Sequence, residues 1–205
     1  MAIRIAKDEH VFIAGRTGSG KTFLARKYLA GFGHVVVLDT KGTLTWPEVP
    51  AKEITVVKRL AEITKAVTPK IIYQPEYQEL EFEWYNAFFK YCYFKKNLTV
   101  WVDEVMAVCP SPHRIPEFYK AILTRGREME VGVWSLTQRP AGIPLITMSE
   151  STHFFVFDLN MPHDRQRLID ITGTDEFGEK PGKYRFWYYN ISQESAVLAR
   201  LVEKK

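Results

Sequence analysis

The sequence predicts an α/β fold: a mostly parallel central sheet, helices on both faces, and a β-hairpin at the C-terminal end. Three observations lead there. Short apolar runs alternate with segments of helical period, a glycine-rich loop joins the first such run to the first helix, and a later run ends in two adjacent carboxylates. The chain of 205 residues has no repeat, low-complexity tract or long linker, so one domain over 1–205 is expected. That length buries about 70% of the unfolded surface.

Each element follows from its local pattern. Val11 to Ala14 is wholly apolar and reads as a buried strand, and Phe23 to Ala30 reads as a helix with Phe23, Leu24 and Tyr28 inward. Val35 to Leu38 is the next strand, ending at Asp39-Thr40-Lys41-Gly42. Ile54 to Val57 and Ile71 to Tyr73 are short strands with a helical stretch, Lys58 to Val67, between them. Glu79 to Phe94 carries Leu80, Trp84, Ala87, Phe88 and Tyr91 at three- and four-residue steps, a helix. Leu98 to Val102 is a strand, Pro116 to Thr124 a helix opened by proline, and Val131 to Leu136 and Phe154 to Phe157 are strands. Pro162 to Ile171 reads as a helix and Lys183 to Leu201 as a closing hairpin. In such a sheet ligands bind at the carboxyl ends of the strands.

Composition narrows the function classes. The hydrophobic share of 46% and charged share of 25% suit a soluble globular protein. No apolar run approaches the ~18 residues of a membrane span and the N-terminus lacks a secretory pattern, so an intracellular protein is expected. Cys92 and Cys109 form no C-x-x-C and have no nearby histidine, which speaks for two buried thiols and against zinc. A net charge of +4 permits contact with nucleic acid without requiring it. The aromatic clusters around Trp84, Tyr91 and Phe186 read as core or subunit interface before base-stacking platforms.

Gly15-Arg16-Thr17-Gly18-Ser19-Gly20-Lys21-Thr22 matches G-x-x-x-x-G-K-[ST] between a strand and a helix. A chain that leaves a strand at glycine and restarts as a helix points backbone N–H groups and the positive helix end at one spot. Gly15, Thr17, Gly18, Ser19, Gly20, Lys21 and Thr22 are therefore expected to cradle the phosphates of a nucleoside triphosphate. Lys21 would reach the β- and γ-phosphates, and the Thr22 hydroxyl would ligate Mg²⁺. The second motif is Leu98 to Glu104, an apolar strand delivering Asp103 for the Mg²⁺ shell and Glu104 as general base for an attacking water. Asp39-Thr40-Lys41-Gly42 fits the D-x-x-G of GTPases, but no N-K-x-D guanine-reading loop occurs. Asp103 is thus given the metal, and Asp39 is left as a second-site polar residue or a turn former. Gln138, leaving the strand that ends near Leu136, is placed to sense the γ-phosphate or orient water if that strand neighbours the Asp103 strand. Arg125 and Arg127, flanking Gly126, are preferred over Arg139 as the arginine that reaches a neighbouring subunit's γ-phosphate.

The loop at 15–22, the Leu38-to-Gly42 turn, the Asp103-Glu104 pair, Arg125-Gly126-Arg127 and Thr137-Gln138-Arg139-Pro140 stand in the order seen in the FtsK/HerA superfamily. The chain resembles that superfamily from about Val11 to Pro140, and its length resembles the genome-packaging ATPases of tailless, internal-membrane viruses. The departure is Asp39-Thr40, where many members have proline after the aspartate. The resemblance implies a P-loop NTPase fold of the ASCE, RecA-like type, with ATP and Mg²⁺ as cofactors. It implies translocation of double-stranded DNA into a preformed capsid by a homo-oligomeric ring, a pentamer or hexamer. Capsid or vertex proteins would be further partners, and the protein would reside in the host cytoplasm and at the virion vertex. Pro110 to Arg114 is a candidate pore loop or a rigid surface turn, and aromatic positions near Tyr184 and Phe186 are candidates to hold adenine. Three alternatives stay open: a cellular or plasmid DNA-transfer ATPase or helicase of the same superfamily, a P-loop small-molecule kinase, and a nucleotide-switched scaffold.

Overall fold

A computed structural model describes residues 3–201. In chain order the strands and α-helices are β1 (Val11–Ala14), α1 (Lys21–Leu29), β2 (Val35–Leu38), β3 (Ile54–Val57), α2 (Leu60–Ile63), β4 (Lys70–Tyr73), α3 (Phe82–Lys95), β5 (Leu98–Val102), α4 (Val105–Val108), α5 (Glu117–Arg125), β6 (Val131–Thr137), α6 (Ile146–Ser149), β7 (His153–Val156), α7 (Pro162–Thr172), β8 (Arg185–Asn190) and β9 (Val197–Arg200). The strands form one nine-stranded sheet in the order β3-β4-β2-β5-β6-β1-β7-β8-β9. Every pairing from β3 across to β7 is parallel, and β7-β8 and β8-β9 are antiparallel. The expected fold class, C-terminal hairpin included, is the one observed.

The inner strands are apolar without alternation because both faces of a parallel sheet are covered. Phe12 and Ala14 of β1 point into one core with Val36, Val100, Val133 and the aromatic side of α3. Val11 and Ile13 point into the other with Leu24 and Leu29 of α1, Trp101 and Trp134. Both cysteines are buried free thiols, and burial pushes Cys109 up to about 12. The aromatic run of β8 is mostly core, with Phe186, Tyr188 and Tyr189 all buried, whereas Trp84 and Phe94 of α3 face outward.

Four elements differ from the sequence expectation: α2, α3, and the short helices α4 and α6, which were not expected. The helix expected over Lys58 to Val67 shrinks to Leu60–Ile63. Its start is set by Glu62, whose carboxylate accepts the Lys58 and Arg59 N–H groups at 3.0 and 3.2 Å. Val67, 96% exposed, offers no apolar face to prolong it. The helix expected from Glu79 starts at Phe82, because buried Glu79 accepts the Leu60 N–H at 2.8 Å and the Tyr73 hydroxyl within a 3₁₀ turn. Short α4 places Val105 and Val108 in the core directly after the acid pair. Among the described residues no helix is long and apolar enough to cross a membrane.

Candidate nucleotide site

Strand order makes the site. β6 lies between β1 and β5, so the loop after β1, the Gln138 exit from β6 and the acid pair after β5 open side by side at one sheet edge. The loop is tied to both neighbours of β1. Gly15 N–H donates to Thr137 O of β6 at 3.2 Å, and Arg16 N–H to Asp158 O beyond β7 at 2.7 Å. Gly20 takes φ +111, a backbone conformation that strains any residue with a Cβ, so glycine suits the position. No side chain caps α1 and its first turn has no acid, leaving its positive end suited to an anion.

Lys21 is 8% exposed and its ammonium donates to Gly15 O at 2.6 Å and Arg16 O at 3.1 Å, folded over the loop. Burial lowers its pKa to about 8, against the opposing pull of Glu104 and Asp103. The Thr22 hydroxyl donates to Asp103 Oδ1 at 3.2 Å. Burial raises the Asp103 carboxyl, partly offset by Lys41. A half-buried acid held beside a hydroxyl at a helix start suits a hard divalent cation such as Mg²⁺. Among the described residues, buried Ser19 Oγ and Glu104 Oε1 find no hydrogen-bond partner, which leaves both with hydrogen-bonding capacity that a ligand can fill.

Gln138 links the two halves. Its Nε2 donates to Glu104 Oε2 at 2.9 Å, and its Oε1 accepts the Thr17 hydroxyl at 2.6 Å. Gly15, Thr17, Gly18, Ser19, Gly20, Lys21, Thr22, Asp103, Glu104 and Gln138 therefore share one end of the sheet. Arg125 and Arg127 do not. They are exposed and lie just before β6, in a groove that also takes in His10 and Asp8 ahead of β1. The seven residues of β6 separate them from the Gln138 end, about 20 Å at strand rise. They cannot reach the glycine-rich loop of the same chain. Arg139 donates to buried Asp164 of α7 at 2.8 Å, and that carboxylate also accepts the Ala141 N–H at 3.0 Å, so Arg139 anchors its own loop.

Three residues of the site went unassigned in the sequence. Asp158 stands 3.8 Å from Arg16, Asp164 holds Arg139, and the Lys41 ammonium lies 3.8 Å from Glu104 Oε2. Only Lys41 carried a signal, its place in the turn after β2; the two aspartates come from segments distant in sequence. Beside the loop a groove of about 520 Å³ is lined by Gly20, Phe23, Tyr184, Arg200 and Leu201. Tyr184 faces it, whereas Phe186 packs inward against Phe155 and Phe157.

No family model matches the chain. In sequence it is 27% identical, over 97% of its length and 89% of the relative, to the DNA packaging ATPase P9 of Enterobacteria phage PRD1. In fold it matches the genome packaging NTPase B204 of Sulfolobus turreted icosahedral virus 2 in complex with AMPPCP, with a TM-score of 0.78 at 14% identity over 96% of this chain and 99% of that one. The pCW3 conjugation coupling protein TcpA, with ATPγS, matches at a TM-score of 0.61 and 16% identity, over 95% of this chain and 60% of that one. The chain is thus similar in sequence, over nearly its whole length, to a phage DNA packaging ATPase, and in fold to a viral genome packaging NTPase.

Proposed function

We propose that this chain is an ATPase that drives double-stranded DNA into a preformed viral capsid as a homo-oligomeric ring. The observation that carries the ATPase reading is the convergence of Lys21, Thr22, Asp103, Glu104 and Gln138 at the end of three adjacent strands. The loop N–H groups and Lys21 hold the β- and γ-phosphates, and the groove at Phe23 and Tyr184 takes the adenine. Thr22 and Asp103 hold Mg²⁺, which when bound offsets phosphate charge. Glu104, with one oxygen unpartnered and the other on Gln138, accepts the proton of the attacking water. Gln138 holds that carboxylate and senses the phosphate through Thr17.

Arg127, or Arg125, completes the neighbouring subunit's site, because its place at the far end of β6 removes it from its own. Turnover then depends on assembly, and an arginine supplied in trans contributes about 10³–10⁵ in rate. DNA is gripped through phosphates with little base reading, since a motor must accept any sequence. The Pro110-to-Arg114 turn, braced by Arg114 over the Phe82 ring at 4.3 Å, is the candidate DNA-facing loop. Capsid vertex proteins are the docking partners, in the host cytoplasm and then at the vertex. The test is ATP turnover of the purified protein with and without linear duplex, at rising salt. Stimulation by duplex that falls steeply with salt is expected. A phosphorylated small-molecule product would indicate a kinase, and turnover indifferent to DNA would indicate a nucleotide-switched scaffold.

A further inference from the structure

Lys41 has no part in the steps proposed for the nucleotide site, yet the turn that carries it is tightly built. Asp39, 1% exposed, receives four donors: the N–H groups of Lys41 at 3.2 Å and Gly42 at 3.1 Å on one oxygen, and Leu44 N–H at 2.7 Å and Gln74 Nε2 at 2.9 Å on the other. A carboxylate so occupied is a template for the turn. Gly42 closes the turn at φ +66, which glycine adopts freely. β2 lies next to β5, so the turn sets Lys41 at the edge of the phosphate site. Its ammonium stands 3.8 Å from the Glu104 oxygen that Gln138 also meets. That is an ion pair without a hydrogen bond, and the lysine side chain is 49% exposed, so the pair exchanges readily.

Resting on the ATPase reading, we propose that Lys41 recognises the terminal phosphate from within the same subunit, leaving Glu104 for that phosphate when a triphosphate binds and staying on Glu104 when a diphosphate binds. A terminal phosphate carries more charge than one carboxylate and offers three oxygens, so it competes for the ammonium; ADP has no such group near the acid pair. The exchange releases Glu104 to water only when there is a phosphate to attack. Because Gln138 holds the same oxygen and bridges to Thr17, the release also reaches the loop.

The experiment compares affinities for ADP and for a β,γ-methylene ATP analogue, with Mg²⁺, in wild type, Lys41→Met and Lys41→Arg, with Lys21→Ala as the loop control. Lys41→Met keeps the stem and removes the charge. It is expected to bind ADP within about twofold of wild type and the analogue on the order of tenfold more weakly, the size of one charge-assisted contact. Lys41→Arg is expected to recover most of the difference. A wild-type ratio of the two affinities in Lys41→Met overturns the proposal, as does an equal loss for both, which would mark a purely structural turn. If Lys21→Ala abolishes binding while Lys41→Met keeps the ratio, the ATPase reading stands and Lys41 alone falls. A wild-type protein that binds neither nucleotide overturns both.

Discussion

Replacing Glu104 with glutamine separates chemistry from architecture. Among the described residues the Glu104 side chain makes one hydrogen bond, from Gln138 Nε2 at 2.9 Å, and one ion pair, with Lys41 at 3.8 Å. The ion pair is half-solvated on the lysine side and contributes at most about 0.5 kcal/mol. Glutamine keeps an oxygen for Gln138, but the bond loses its charge assistance, about 1 kcal/mol. The fold should therefore lose no more than about 1.5 kcal/mol, a fall in Tm of roughly 3–6 °C for a chain of this size. Nucleotide affinity should stay within about threefold, because the loop and Lys21 are untouched. Loss of a general base, in contrast, lowers turnover by about 10²–10⁴, or roughly 3–5 kcal/mol of barrier. Phosphate release, analogue binding and thermal melting on one preparation read the three quantities. Turnover within tenfold of wild type with intact binding would show that another group activates the water.

Three further outcomes follow from other parts of the fold. Arg127→Ala should be inactive alone, and mixing it with Glu104→Gln subunits should restore turnover. Failure of every mixture to recover activity counts against a trans-acting arginine there. Gly20→Ala should weaken nucleotide binding strongly and lower Tm, since the left-handed backbone at φ +111 strains any residue with a Cβ; wild-type binding would contradict this reading of the loop. His10 is buried and its Nδ1 accepts the Val133 N–H at 3.1 Å, so burial drives its pKa down to about 4 from 6.5. The folded state then takes the proton less readily than the unfolded chain. Stability is complete above about pH 6.5 and is lost as pH falls toward 4, by about 3 kcal/mol. His10→Asn, which keeps an acceptor, should flatten that acid limb in denaturant titrations; an unchanged limb would place the titration elsewhere.

The fold was legible because its inner strands are short apolar runs with nothing to alternate against, and the glycine loop and acid pair each sit at a strand's carboxyl end. From those two features the neighbourhood of Lys21, Thr22, Asp103 and Glu104 follows once β6 is inserted between β1 and β5. Gln138 was placed by the same adjacency. Asp164 was not legible, since its meaning lies in an arginine 25 residues away on another element. Nor was the shortening of α2, which depends on one glutamate reaching back to two amides. Lys41 was visible in the turn motif, but its approach to Glu104 needs the packing of β2 against β5.

The most direct test of the account is a structure of the protein bound to Mg²⁺ and a non-cleavable ATP analogue. The account predicts the triphosphate wrapped by residues 15–22, the cation shared by Thr22 and Asp103, and the terminal phosphate facing Glu104. A nucleotide held elsewhere, or a terminal phosphate turned away from Asp103 and Glu104, would contradict it.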